Sequence, residues 1–250
     1  MSEGTPGETL DDLVVANHIL YAEGVVDGFG HVSTRHPERP DRFLLARSMA
    51  PALVAAGDIM EFDLDGDPMG GDARTPYVER FIHGAIYKAR RDVTAVVHSH
   101  SPSVIPFGVT GGALRPIYHM SGFLGAGAPI FEIRDTGGMT DMLIRDNALG
   151  DALAQTLGPR AVALMRGHGS VAVGSSIQQV VYRAIYTEMN ARLQMEAMRL
   201  GTIDFLEPEE ARLAAAMNDS VLRRPWELWR RKVVLARERE RGPANWRSRK

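Results

Sequence analysis

The sequence predicts an α/β sandwich built on a largely antiparallel or mixed sheet. Three observations predict it. Segments with helical periodicity recur along the chain. Short apolar or alternating runs of strand length lie between them. Several of those runs follow one another with only a turn between, which a doubly wound parallel sheet does not allow. The chain has 250 residues, 44% hydrophobic and 24% charged, the balance of a globule with a sizeable core.

The elements are read in chain order. Residues 9–25 repeat apolar positions at helical spacing through Leu10, Leu13, Val14, Ile19 and Leu20. GFGHVSTRH and RFLLAR read as two short strands with a Pro-rich turn between them, and IMEFDLDGDPM as a third ending in a turn at Asp65–Gly66. A helix is expected over residues 77–91, starting after Pro76. TAVVHSH is a strand of the buried type that runs into a helix start at Ser101–Pro102. Residues 111–139 are Gly-rich and irregular, with one strand near 128–133. Residues 140–157 form a helix, AVALM and GSVAVG form two strands joined by the turn RGHG, and residues 176–200 form a long amphipathic helix. Two further helices are expected at 207–218 and 225–241. Trp226 and Trp229 of the second share one face and are read as packing residues, the alternative being an exposed pair that covers a neighbouring subunit's site. The final run, RERERGPANWRSRK, reads as a solvated end.

Composition excludes several functions. With no Cys there are no disulfides, iron–sulfur clusters, thiolate metal sites or Cys nucleophiles. A formal net charge of -2 gives no general pull towards nucleic acid or an anionic membrane. No apolar run approaches the roughly 20 residues that span a bilayer. The first residues lack the basic flank and apolar stretch of a signal peptide, so a cytoplasmic protein is expected. Lysines are confined to Lys88, Lys232 and Lys250. Lys88 falls on the far side of its helix from Glu79 and the others in the charged tail, which argues against a Schiff-base mechanism.

The chemistry gathers around histidines. Residues two apart in a strand point to one face, so His98 and His100 of VVHSH project together. Two imidazoles on one face are accommodated when a metal ion shares their lone pairs. His168, in RGHG, supplies a third ligand, because flanking glycines let a turn bring a side chain close to another backbone. Three His ligands leave a position open, the pattern of a catalytic site. Glu79 and His83, four apart, share one helix face, with Ile82 and Ile86 on the neighbouring stripe, so Glu79 is expected to look inward beside the ion.

Glu79-xxx-His83-xxx-Tyr87, then His98-Ser99-His100, then Gly167-His168-Gly169 resemble the class II aldolase/adducin family over residues 10–200. GHVSTR and EFDLDG also look like its N-terminal half. The resemblance implies a three-layer α/β/α sandwich with a mainly antiparallel central sheet, with a catalytic domain over 1–205 and a helical extension over 206–250. It implies a homotetramer with active sites at subunit interfaces. It also implies one divalent metal per subunit, Zn2+ or alternatively Mn2+, on His98, His100 and His168, with Glu79 catalytic. This chain departs from the sugar-phosphate members. It carries His31 in place of an Asn, Arg47-Ser48-Met49 in place of a small polar loop, and Tyr77-Val78 in place of a Ser pair. A phosphate cradle needs backbone N–H groups and small hydroxyls, so these bulkier residues argue against a phosphosugar. His119 stands where those members use a Tyr proton donor.

The departures, with RSMAP and the tail RPWELW, resemble the branch that decarboxylates hydroxylated aromatic dicarboxylates. The expected activity is therefore decarboxylation through a metal-stabilised phenolate, with Glu79 and His119 as acid/base groups. Arg47, Ser48, His31 and Tyr77 are expected to contact the substrate, a small carboxylate. Aldol cleavage of a non-phosphorylated substrate is the first alternative. Related dehydratase or epimerase chemistry and a non-catalytic adducin-like association module follow.

Overall fold

A computed structural model of the chain describes residues 6–240. Its elements in chain order are α1 (Pro6–Ala22), β1 (His31–Arg35), β2 (Arg42–Ala46), β3 (Ile59–Asp63), α2 (Arg80–Ala89), β4 (Ala95–Ser99), α3 (Ile105–Val109) and β5 (Ile130–Phe131), followed by α4 (Arg134–Gly137), α5 (Asn147–Leu157), β6 (Val162–Met165), β7 (Gly169–Gly174), α6 (Ile177–Leu200), α7 (Pro208–Asp219) and α8 (Arg223–Glu240). The seven strands form one mixed sheet in the order β3-β2-β1-β4-β7-β6-β5. Every neighbouring pair is antiparallel except β5 with β6. This is the mainly antiparallel sheet that the sequence predicts.

Strand alternation sorts the core into two layers. Val32, Ala95, Val97, Leu164 and Ala172 face α1, α6 and α8. Phe43, Phe62, Val96, Ala163, Val171 and Val173 face α2 and α5 on the other side. The result is an α/β/α sandwich. Trp226, Trp229 and Val233 of α8 are buried in the first layer, so the tail packs on the body of its own chain. The tryptophans are packing residues and are not free to cover a neighbour. Among the described residues no helix is long and apolar enough to cross a membrane.

Several boundaries differ from the expectation: α1 runs Pro6–Ala22 rather than 9–25, β1 begins at His31 rather than 28, β5 covers two residues of the expected 128–133, and three helices start late. The helix expected from residue 77 begins at Arg80, with Glu79 as its N-cap. The short helix expected from Ser101–Pro102 begins at Ile105. The helix expected over 140–157 begins at Asn147, because Asp146 caps it by accepting from the Leu149 N–H at 2.9 Å. Upstream, Met142 has φ 72°, the left-handed region that no helix tolerates. The expected solvated end lies, from residue 241 on, outside the described residues.

Candidate metal centre and active site

In β4, Val96 and His98 point towards α2 and α5. His100 follows the strand end, and its Nε2 lies 3.1 Å from His98 Nε2. His168 sits in the turn between β6 and β7. Gly167 takes φ +63° there, and the His168 N–H donates to Met165 O at 3.0 Å, which closes the turn. At Gly169 a Cβ would stand 2.1 Å from Ser99 O, so β7 reaches β4 this closely only with glycine at that position. The turn brings His168 Nε2 to 3.1 Å from His100 Nε2.

Glu79 reaches the same point from the start of α2. Its Oε2 lies 3.4 Å from His98 Nε2 and 3.5 Å from His168 Nε2. Its Oε1 accepts from the Ile144 N–H at 3.0 Å. That amide is free to donate because residues 140–146 are not helical. The four donor atoms lie within 4.8 Å of one another.

This donor set fits a divalent cation. A tetrahedral ion with roughly 2.0–2.1 Å Zn–N bonds separates its ligand atoms by about 3.3 Å, close to the 3.1 Å between the imidazole nitrogens. His98 Nδ1 lies 3.1 Å from Ser170 O. A carbonyl only accepts, so the proton sits on Nδ1 and the Nε2 lone pair faces the centre. Three borderline nitrogens and one carboxylate oxygen suit zinc and other first-row transition ions. Glu79 Oε2 lies beside the same point, close enough to serve as an acid/base group next to an ion held by the three imidazoles.

The electrostatics of the cluster are mixed. Burial works to raise the Glu79 pKa; without an ion, His98 and His168 in their protonated forms outweigh it and hold the carboxyl below its usual range, and with their Nε2 lone pairs turned to a cation it is the cation's charge that lowers it. Burial, then the neighbouring His98 and His168, lowers His100 to about 4. Burial likewise pushes His31 well below its ordinary value and His83 to about 3, so both rings are neutral near pH 7.

The other expected site residues divide into those near the centre and one that is not. His31 of β1 pairs in register with His98 of β4, and their ring centroids are 5.1 Å apart. Tyr77 packs its ring 4.6 Å from that of His31, and its hydroxyl donates to Met49 O. Burial lifts the Tyr77 phenol to about 12. Arg47 bridges to Pro76, beside Tyr77, and its Nε donates to Asp58 Oδ1 at 2.8 Å. Ser48 is exposed, with its N–H on Thr75 O. His119 lies elsewhere. It is exposed at the head of a 3-10 turn, His119–Leu124, which packs on α6 and α7 in the opposite layer. Its carbonyl accepts from Asn218 Nδ2.

Ser33 and Tyr87 join the site through His83. His83 Nε2 lies 2.6 Å from His31 Nδ1, His83 Nδ1 lies 2.6 Å from Ser33 Oγ, and Ser33 Oγ lies 2.7 Å from Tyr87 OH. Ser33 is two residues along the strand from His31, and Tyr87 is one helical turn on from His83. Those spacings place each on the right face but do not say that the faces meet.

Fold and site together define a class, and the family model for the class II aldolase and adducin N-terminal domain matches residues 11–195. The chain belongs to the class II aldolase/adducin family. Among curated proteins it is 40% identical to decarboxylase tropJ of Talaromyces stipitatus over 240 residues, covering 86% of this chain and 90% of that one. It is 30% identical to the 3,4-dihydroxyphthalate decarboxylase of Arthrobacter keyseri, covering 76% of this chain and 78% of that one. Among solved structures, L-fuculose 1-phosphate aldolase from Glaciozyma antarctica superposes with TM-score 0.76 at 21% identity, over 94% of this chain and 92% of that one, a likeness of fold.

Proposed function

We propose that the chain is a divalent-metal-dependent lyase that decarboxylates a hydroxylated aromatic dicarboxylate. The observation that carries the proposal is the convergence of His98, His100, His168 and Glu79 on one point. The decarboxylase relatives support the reaction class. Tyr77 against His31, with its hydroxyl turned onto Met49 O, supports a flat aromatic wall where a phosphate cradle would need small polar groups.

When bound, a divalent ion at the three imidazoles supplies a Lewis acid that favours negative charge on an oxygen beside the departing carboxylate. Glu79 starts ionised, so it first acts as a base and takes the proton of the substrate hydroxyl. It then delivers that proton to the ring carbon that bears the carboxylate. The C–C bonding pair returns to the ring as CO2 leaves, and the product oxygen takes one proton from solvent, relayed by His119 of a neighbouring copy. Arg47 grips the second carboxylate with its guanidinium fork, and His31 orients it. Ser48, exposed beside Arg47, lines the entrance. His119 serves the site of a neighbouring copy in a homotetramer, since within its own chain it belongs to the other layer.

A panel of ortho-hydroxy aromatic dicarboxylates assayed for CO2 release, beside hydroxy-aldehydes and phosphosugars, tests the reaction. Release from the dicarboxylates with none of the aldol products is the expected outcome. Aldol cleavage alone would mean a non-phosphorylated or sugar aldolase instead. Metal analysis should return about one divalent ion per chain; a value far below that favours an association module.

A further inference from the structure

Beneath His31 lies a row of polar side chains that the reaction does not touch. His31, Ser33, His83 and Tyr87 are all buried, at 4%, 0%, 0% and 1% exposure. Each contact in the row is 2.6 or 2.7 Å long. Buried polar groups so closely spaced must share out their protons without conflict.

The far end decides how they are shared. Tyr87 OH has two acceptors within reach, Ser33 Oγ at 2.7 Å and Thr94 O at 3.5 Å. Thr94 O already accepts from the Arg35 N–H at 2.7 Å and from Thr34 Oγ1 at 3.1 Å. A carbonyl has two lone pairs, and 3.5 Å is the outer edge of a hydrogen bond. Tyr87 therefore donates to Ser33. Ser33 has one proton, and with its oxygen accepting from Tyr87 it donates that proton to His83 Nδ1. A neutral imidazole with Nδ1 accepting carries its proton on Nε2. His83 Nε2 then donates to His31 Nδ1, and His31 in turn must carry its proton on Nε2.

We propose that Tyr87, Ser33 and His83 form a one-way row of hydrogen bonds that holds His31 as an N–H donor towards the substrate. The site then takes an oxygen acceptor, a carboxylate, at that place and disfavours a hydroxyl that must itself donate. Ser33, His83 and Tyr87 are positioning residues acting through His31. The carboxylate part of the proposal rests on the substrate class argued above; the direction of the row does not.

Nitrogen-15 spectra of the zinc-loaded protein test the direction. Multiple-bond proton–nitrogen correlations report which ring nitrogen carries the proton, and His31→Gln and His83→Gln identify the two rings by loss of signal. Nε2 protonated and Nδ1 bare in both rings is the expected result. Nδ1 protonated in either ring overturns the proposal. Tyr87→Phe keeps the ring packing and removes the terminal donor, which frees Ser33 to turn its proton away. The His83 signals should then move towards a mixture of tautomers. KM for the dicarboxylate should rise about fivefold, the value of one neutral hydrogen bond, with kcat within about twofold and zinc content unchanged. Tautomers that stay fixed in Tyr87→Phe overturn the row. The spectra need no turnover, so absence of CO2 release from every candidate sinks the proposed reaction and leaves the row standing. Reversed tautomers do the opposite.

Discussion

Glu79 divides its two oxygens between two tasks. Oε1 is fixed by the Ile144 N–H, and Oε2 faces His98 and His168. A glutamine can keep the first contact, but it lacks both the negative charge and a proton to transfer. Glu79→Gln should therefore lower turnover by about 100-fold or more, the scale of a lost acid/base group. Three imidazoles suffice to hold an ion, so metal content by mass spectrometry should stay near one per chain. If the metal leaves with the carboxylate, Glu79 is mainly a ligand and the proton carrier is another group. At this scale the convergence of the candidate metal residues is legible in the sequence: strand alternation turns His98 inward, His100 follows just past the strand end, and the glycines around His168 let its turn approach. Glu79 is buried as expected, though as the N-cap just ahead of α2 rather than as a residue of the helix itself. Ile144 is not legible, since its contribution is a backbone N–H in a segment that reads as helix. The row under His31 is not legible either. Its spacings along each element are visible, but the pairing of β1 beside β4 and the seating of α2 over both are not local properties of the chain.

Elements bring these residues together mainly through two close approaches. The first is β7 against the end of β4 at Gly169, which also sets the His98–Ser170 hydrogen bond. Gly169→Ala forces a methyl group to within 2.1 Å of Ser99 O unless the strands part. Overpacking against backbone typically costs about 1–3 kcal/mol, and a chain of this size loses about 2–4 °C per kcal/mol. Calorimetry should show melting lowered by roughly 2–12 °C, with bound metal reduced as His168 moves away from His100. An unchanged melting temperature and full metal content would mean that β4 and β7 are not held this tightly. The second approach is α2 against residues 140–146, and there the periodicity misleads. Met142, Leu143 and Ile144 extend the apolar pattern of α5 backwards, yet Ile144 buries its side chain in the α2–α5 core from a non-helical segment, which leaves its N–H to Glu79. Asp146 marks the true start, and its side-chain cap explains why the helix goes no further. The strands, by contrast, all fall within the runs expected of them, because turns rich in Gly, Pro and Asp bound those runs, although β1 and β5 are shorter than their runs.

For the whole molecule the proposed partnership is between Glu79 and His119. One chain puts them in different layers of the sandwich, so on that proposal their cooperation would take two chains. The surface near the candidate metal centre carries an exposed ring: Phe29, 70% exposed, lies 6.4 Å from the ring of His100; Met139, also on the surface, is 92% exposed. Isolated apolar side chains are ordinary on a surface, so exposure alone does not decide the matter. Complementation does. Glu79→Gln and His119→Ala chains, each nearly inactive alone, can be unfolded together and reassembled as mixed oligomers. In a ring of identical interfaces, a site with both native groups forms when a His119→Ala chain supplies Glu79 and its neighbour supplies His119. Random assembly from equal amounts gives that arrangement at about one site in four. Recovery of about a quarter of the native activity, with light scattering showing a tetramer, is therefore expected. If light scattering shows tetramers but mixing restores nothing, Glu79 and His119 do not share a site across an interface. If the chain is a monomer in solution, the shared site is wrong from the start, and the exposed Phe29 and Met139 have no neighbour to meet.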